Sequence, residues 1–241
     1  MRYLLLTLCL FLTVNARASE PVRILSIGAS ISTGEHLQAL QERMIRAGAT
    51  HYEFVGPVER PGAPKLTPRL GFGGMKYLDM LNGRSFKTEW QPGAREVVPQ
   101  VRPDLILLMG GTNNIVSLGP DQLGPIQKEW SLLVDFLVAE RPDAPVLIAP
   151  ITNVHPNGKW AHRQPSIDAF NQWMQEEIAR RAAKGQRLYY VSEMPRLAPE
   201  DFREDGLHPV VSGQIAIGEG WFQALKKHQL LPYDPNRAAA R

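Results

Sequence analysis

The chain has 241 residues, 44% of them hydrophobic, a length and composition that suit one α/β domain with a full core. Its 27 lysines and arginines nearly balance its 24 aspartates and glutamates, so the charge gives no support to nucleic acid or an anionic membrane as a partner. The single cysteine, Cys9, lies in the N-terminal segment. We therefore expect neither a disulfide nor a cysteine nucleophile in the folded domain.

The first eighteen residues have the pattern of a secretory signal peptide. Arg2 precedes an apolar run over Tyr3–Val14, and Ala16-Arg17-Ala18 supplies an A-x-A cleavage site. The run is short for a membrane span, and no later segment is long enough for one. We predict a signal peptide over 1–18, a single domain over 19–241 and an extracytoplasmic (secreted or periplasmic) location. An uncleaved N-terminal anchor is the alternative.

Short apolar runs alternate with helical patterns along the rest of the chain. Alternation of this kind predicts a parallel sheet with helices on both faces. The predicted strands are Val22–Ile27, His51–Val55, Leu105–Met109, Val146–Ala149 and Arg187–Val191. The core-facing positions of four predicted helices are Leu37, Leu40, Met44 and Ile45; Ile126, Trp130, Leu133 and Leu137; Ile167, Phe170, Met174 and Ile178; and Ile215, Gly218, Phe222 and Leu225.

The unusual polar and glycine motifs all follow predicted strands. Ligands of open parallel sheets bind beyond the carboxyl ends of the strands, so we expect these motifs to meet at one edge. In chain order they are Ser30, Gly71-Phe-Gly-Gly74, Gly110-Gly-Thr-Asn113-Asn114, the loop 152–164, and Asp205 with His208.

Three of these residues could carry nucleophilic catalysis. Serine needs a base to take its proton; His208 is a candidate, and Asp205 can hold the imidazole in the required tautomer. Taken singly, a serine in this position is more often a helix N-cap in a tight turn, and Asp205 and His208 could be a helix-start aspartate and a surface histidine. The other histidines have no acidic neighbour in register, and we interpret most of them as surface residues. None has His-x-x-x-His spacing, so we expect no metal and no cofactor.

Ester hydrolysis also needs donors for a developing oxyanion. Glycines at Gly73 and Gly74 let a backbone N–H approach a substrate, and Asn113 could aim its amide at the same place. The structural alternative for each is a simple turn. The loop 152–164 carries His155 and Trp160; it is either a substrate loop for a sugar or a solvated connection with Trp160 packed on the scaffold.

Together the motifs resemble the SGNH (GDSL-type) hydrolase family, over nearly all of the chain that follows the signal segment. Four blocks appear in the family order: Gly28-Ala-Ser30-Ile-Ser-Thr-Gly34, Gly71-Phe-Gly-Gly74, Gly111-Thr-Asn113-Asn114 and Asp205-Gly-Leu-His208-Pro209. The sequence around them is most similar to secreted carbohydrate acetylesterases.

The resemblance implies a flavodoxin-like three-layer α/β/α sandwich with a five-stranded parallel sheet. It also implies that Ser30 is the nucleophile, His208 the base and Asp205 its partner, with the N–H groups of Ser30 and Gly74 and the side chain of Asn113 as oxyanion hole. The family usually has aspartate at the positions of Ala29 and Asn114 here, and neither belongs to its catalytic set.

The expected function is hydrolysis of small O-acyl esters, above all acetyl esters, carried by a small molecule or a polysaccharide. A lysophospholipase, arylesterase or thioesterase acting on lipid-like acyl chains is the alternative among enzymes. A non-catalytic glycan-binding relative, suggested by the changes at Ala29 and Asn114, is the alternative outside enzymes. The oligomeric state is left open by the sequence.

Overall fold

The computed structural model describes residues 20–57, 68–117 and 122–233. The predicted signal segment therefore lies outside the described residues. Within them, no helix combines the length and apolar character that crossing a membrane requires.

A parallel sheet forms the centre of the structure, as predicted. Its strands are β1 Val22–Gly28, β2 Tyr52–Val55, β3 Leu70–Gly71, β6 Leu105–Met109, β7 Val146–Ile148 and β8 Leu188–Tyr190. The main strands run in the order β2-β1-β6-β7-β8, and the two-residue β3 extends the β2 edge by pairing with β1. The strand order reverses between β1 and β6, which places the switch point of the sheet at the end of β1.

Helices cover both faces of the sheet, so the three-layer prediction is confirmed. The helices are α1 His36–Arg46, α2 Tyr77–Asn82, α3 Ala94–Val101, α4 Thr112–Ser117, α5 Leu123–Glu140, α6 Gln164–Ala182 and α7 Val211–Lys227. Helices α1 and α7 pack on one face; α2, α3, α5 and α6 pack on the other. In the central strand β6, Ile106 and Leu108 face one helical layer and Leu107 faces the other. A strand covered on both sides must be apolar throughout, which is why the sequence of β6 is an unbroken apolar run.

The prediction that the side chain faces the core is wrong at two positions. Ile45 of α1 and Ile215 of α7 are 58% and 54% exposed. Each lies at the edge of its helical stripe, beyond the width of the contact with the sheet. The neighbouring stripe residues Met44 and Leu225 are fully buried, so the helices themselves face the sheet as predicted.

The long connection between β2 and β6 contains structure that the sequence patterns do not reveal. It holds β3, the short helices α2 and α3, and a hairpin formed by β4 (Arg84–Phe86) and β5 (Glu89–Gln91). Helix α2 has only six residues, too few to establish a helical period, and α3 contains Pro99. This segment positions the glycine motif that follows β3.

Candidate active site

Strand β1 delivers Ser30 to the carboxyl edge of the sheet through a tight turn. A Cβ atom at Gly28 would lie 2.6 Å from the carbonyl oxygen of Met109, so only glycine lets the end of β1 approach β6 this closely. Ser30 occupies the N-cap position of a 3₁₀ turn over Ile31–Thr33, but its hydroxyl makes no capping hydrogen bond. The residue is half-buried at the edge of the sheet.

The loop between β8 and α7 brings His208 to that serine. The Nε2 atom of His208 lies 2.8 Å from the Oγ atom of Ser30, and its Nδ1 atom lies 2.7 Å from the Oδ2 atom of Asp205. A backbone bridge between Phe202 and Pro209 closes the loop, and Gly206 turns within it at a φ of 67°. The three side chains therefore form one hydrogen-bonded series, as the sequence motifs predict.

Asp205 is held in its charged form by the loop it belongs to. Its Oδ1 atom accepts hydrogen bonds from the backbone N–H groups of Leu207 and His208, each at 2.9 Å. Partial burial by itself would raise the pKa of this carboxyl. The two backbone donors and the His208 side chain outweigh that effect, and the pKa of Asp205 lies below its ordinary value. A permanent carboxylate fixes the imidazole so that Nδ1 carries the proton and Nε2 can accept one.

The glycine motif and the asparagine motif are joined by a direct contact. Asn113, in the first turn of α4, donates a hydrogen bond of 2.9 Å from Nδ2 to the carbonyl oxygen of Met75, the residue after Gly74. An amide carries two N–H donors, so one remains for another acceptor. Gly74 has a φ of 80°, a backbone conformation that favours glycine.

The positively charged side chain of Arg84, which the sequence patterns did not single out, stabilises the glycine motif. Arg84 of the β4–β5 hairpin donates from Nη2 to the carbonyl oxygen of Gly73. The same guanidinium donates to Gln91 at 2.9 Å and contacts Asp79 at 3.4 Å. The hairpin thus anchors the turn that carries Gly74. No local sequence signal identifies this role, because it depends on where the hairpin packs.

Ser30 and Asn113 line one small recess. The recess is narrow, and its other walls include Ala29, Met109 and Ile151. Ala29 is buried against the core, so the position where the family usually has aspartate is an apolar wall of the recess.

Asn114 has a structural role that explains the second departure from the family pattern. Its side chain is fully buried; Oδ1 accepts from the backbone N–H of Tyr77, and Nδ2 donates to Glu129 at 2.7 Å. An aspartate here would place two carboxylates in contact, whereas asparagine offers Glu129 a donor.

The predicted substrate loop contacts the histidine loop, but its two candidate side chains are used by the scaffold. The ring of His155 meets Phe202 edge-on, and its Nδ1 atom accepts from the backbone of Asn157. Trp160 packs against the hydrophobic core, as the structural alternative for this residue states. Gly158 lies against Gly206, so the loop supports the segment carrying Asp205 and His208.

The expectation that most of the remaining histidines lie on the surface is wrong for His36. It is fully buried, and its Nδ1 atom lies 3.1 Å from the Oε1 atom of Gln214. Burial lowers the pKa of His36 to about 4. A Cβ at Gly34 would lie 2.4 Å from the Gln214 amide, so the Gln214 side chain packs tightly against the turn that follows Ser30. Among the described residues, no group of three or more histidine, cysteine, aspartate or glutamate side chains could hold a metal ion.

A serine hydrogen-bonded to a histidine, itself paired with a carboxylate at the switch point of a parallel sheet, is the arrangement of a serine hydrolase. The model of the GDSL-like lipase/acylhydrolase family matches residues 27–215, and the chain belongs to this family of ester hydrolases. The SGNH resemblance is thereby confirmed. No curated protein with significant sequence similarity was found.

Several solved structures share the fold at low sequence identity. A carbohydrate esterase family 3 protein from Talaromyces cellulolyticus aligns with a TM-score of 0.68 at 20% identity, over 87% of this chain and 98% of its own. A family 3 carbohydrate esterase from Clostridium thermocellum gives 0.68 at 18% identity, over 88% and 99%. A mutant acetyl esterase with acetate ion gives 0.67 at 19% identity, over 87% and 98%.

Proposed function

We propose that this protein is a secreted serine esterase that removes small acyl groups, acetyl in particular, from carbohydrate esters. The observation that carries the proposal is the hydrogen-bonded series from Ser30 through His208 to Asp205, with separations of 2.8 and 2.7 Å. A nucleophile, a base and an orienting carboxylate in this order are what acyl transfer to serine requires.

In the proposed acylation step, Ser30 Oγ attacks the ester carbonyl carbon while His208 Nε2 takes the hydroxyl proton. Asp205 stabilises the imidazolium through Nδ1–H without itself becoming protonated. The negative oxygen of the tetrahedral intermediate accepts hydrogen bonds from the N–H groups of Ser30 and Gly74 and from the amide of Asn113. The C–O bond then breaks, and the sugar alcohol leaves with the proton from His208.

In the second half of the cycle, His208 takes a proton from water as that water attacks the acyl-serine. The carboxylic acid leaves, Ser30 recovers its proton from His208, and the enzyme returns to its starting state. The balance of the two steps is one ester and one water consumed, and one alcohol and one carboxylic acid formed. No redox change and no co-substrate other than water is involved.

The size of the recess beside Ser30 supports the acetyl assignment. The recess is narrow, which favours a group as small as the methyl of an acetyl ester over a long acyl chain. Ala29, Met109 and Ile151 offer that methyl apolar contacts. The carbohydrate assignment draws on the printed names of the structural neighbours: carbohydrate esterases and an acetyl esterase.

The family description, lipase/acylhydrolase, keeps long-chain esters as the second candidate. The test is the initial rate on p-nitrophenyl acetate, butyrate and octanoate, with Ser30→Ala and the matched control Ser131→Ala, a serine of α5 distant from the edge. We expect a preference for acetate, a loss of roughly 10⁴–10⁶ in kcat for Ser30→Ala, and wild-type rates for Ser131→Ala. A preference for octanoate would replace the acetyl proposal with the lipid one, and full activity of Ser30→Ala would refute the proposed nucleophile.

Secretion is proposed from residues 1–18. Expression of the full chain in a bacterium with a periplasm, followed by N-terminal sequencing of the periplasmic protein, should give Ser19 as the first residue. Retention of Met1 on a membrane-bound product would support the uncleaved anchor instead.

A further inference from the structure

A groove leads away from the Ser30 recess along the loop after β7. Ile151 and Thr152 line the recess on one side and, on the other, a second cavity of about 190 Å³ between the N-terminal part of α6 and the loop after β8. A third cavity of about 330 Å³ continues from the second, and the two share Asn153, Gln164 and Arg196 as walls. An ester whose acyl group occupies the recess would extend over Thr152 into this groove.

The framework of the groove is built from amides whose hydrogen bonds are already used. Asn153 donates to the carbonyl oxygen of Leu197 and accepts from its N–H, at 3.0 and 2.8 Å. Asn171 does the same with both backbone groups of Ile151, each at 2.8 Å. Gln164 bridges the N–H of Val154 and the carboxylate of Asp168. These contacts fix the backbone on both sides of the groove, so its shape does not depend on a ligand.

Three groups in the groove retain unused hydrogen-bonding capacity. Within the described part of the chain, the guanidinium of Arg196 makes no hydrogen bond or ion pair, although Asp168 lines the same cavity. Asp168 uses only Oδ1, on Gln164, and its Oδ2 has no partner among the described residues. Tyr190, at the end of β8, also lines this cavity, and its hydroxyl has no hydrogen-bond partner among the described residues. Its pKa is raised by burial, so the phenol keeps its proton.

This combination of charges selects the kind of ligand. A carboxylate or phosphate would meet Arg196 but also the negative Asp168, and an acyl chain would desolvate two charges without replacing their hydrogen bonds. A polyhydroxylated ring can interact with both Arg196 and Asp168, because each hydroxyl can accept a hydrogen bond from the guanidinium or donate one to the carboxylate. We propose that the groove binds the sugar portion of the ester, with Arg196 and Asp168 as specificity-determining residues; the inference rests on the proposed esterase function.

Steady-state kinetics on two acetyl esters test the assignment. 6-O-acetylglucose carries a sugar ring with free hydroxyls, and p-nitrophenyl acetate carries no sugar. For Arg196→Ala and for Asp168→Ala we expect kcat/KM on the sugar ester to fall roughly tenfold, mainly through KM, with less than a twofold change on p-nitrophenyl acetate. The matched controls are Lys184→Ala, in the turn that follows α6, and Glu176→Ala, on the exposed side of α6; both should behave as the wild type on both esters.

A binding measurement separates sugar recognition from catalysis. In a Ser30→Ala background, the added change Arg196→Ala should weaken the binding of 6-O-acetylglucose roughly tenfold by calorimetry, and Lys184→Ala should not. Equal losses on both esters would indicate a structural role, and unchanged kinetics and Kd would remove Arg196 from the site; either result overturns the inference. Wild-type turnover of p-nitrophenyl acetate without turnover of the sugar ester would overturn it as well. Absence of Ser30-dependent turnover on any ester would instead refute the proposed function.

Discussion

The Nε2 atom of His208 lies 2.8 Å from the Oγ atom of Ser30, although 178 positions separate them in the chain. Ser30 precedes α1 and His208 precedes α7, so the packing of these two helices holds the pair together. Helices α1 and α7 approach each other closely because Gly218 has no side chain. A Cβ atom there would lie 2.6 Å from the carbonyl oxygen of His36. Gln214 of α7 adds a polar link, since its amide contacts His36 at 3.1 Å and the carbonyl oxygen of Ile31 at 3.5 Å.

Asp205→Asn should lower kcat by roughly 10²–10⁴ on p-nitrophenyl acetate. The amide oxygen can still accept from the backbone N–H groups of Leu207 and His208, so the loop should keep its shape. An amide N–H₂ facing Nδ1 would instead favour the tautomer that places the proton on Nε2, where the base must be free. Stopped-flow rates and thermal unfolding together check this. A variant with wild-type kcat would show that the carboxylate does not orient the histidine.

Asn113→Ala should lower kcat by roughly 10²–10³ with little change in KM, because one oxyanion donor is lost in the transition state only. Its hydrogen bond to Met75 is lost as well, which should cost stability only about 0.5–1.5 kcal/mol. The measurement is kcat, KM and the urea midpoint for this variant. Unfolding at ambient temperature, or a change confined to KM, would assign Asn113 to the turn rather than to the oxyanion.

Asn114→Asp, which restores the residue usual in the family, should destabilise this chain by about 1–3 kcal/mol near neutral pH. The new carboxylate would face Glu129, whose Oε2 atom lies 2.7 Å from the present amide nitrogen. The double variant Asn114→Asp/Glu129→Gln supplies a donor to the new carboxylate and should recover most of the lost stability. Urea unfolding of the wild type, the single variant and the double variant checks both expectations. A fully stable single variant would contradict the explanation given for this asparagine.

The stability of the protein should fall as the pH is lowered through the weakly acidic range, partly because of His36. Burial depresses its folded-state pKa to about 4 from an ordinary value of 6.5, so below pH 6.5 the unfolded chain takes up the proton first. The stabilisation present above pH 6.5 is lost progressively down to about pH 4, by up to about 3 kcal/mol. His228, whose pKa is also lowered by burial, contributes in the same direction.

Urea unfolding of the wild type and of His36→Gln at about pH 7 and about pH 5 isolates this contribution. Glutamine keeps a polar amide at the position but does not titrate. The free energy of unfolding should decline less in the variant than in the wild type over this interval. Equal declines would show that His36 is not the group responsible.

The main strands and the longer helices are predictable because each carries its own local signal. The stretch Leu105–Met109 is covered on both faces and must be apolar at every position, and the apolar positions of α5 recur at the helical period over eighteen residues. The elements between β2 and β6 lack such a signal. Strand β3 has two residues and α2 has six, and each depends on a distant segment: β3 pairs with β1, and α2 packs against α5.

The amino-acid sequence by itself determined the fold class, the edge of the sheet that carries the site, and the identities of Ser30, Asp205, His208, Gly74 and Asn113 as candidates. These follow from short-range patterns: apolar periodicity, and motifs of polar residues or glycine in the connections that follow strands. Tertiary structure alone decided the contacts between segments far apart in the chain. It buried His36 against Gln214, set Asn114 against Glu129, packed Trp160 against the core, and opened the groove between Arg196 and Asp168. The physical reason is that burial and hydrogen-bond partners depend on which surfaces pack together, and no local pattern encodes that packing.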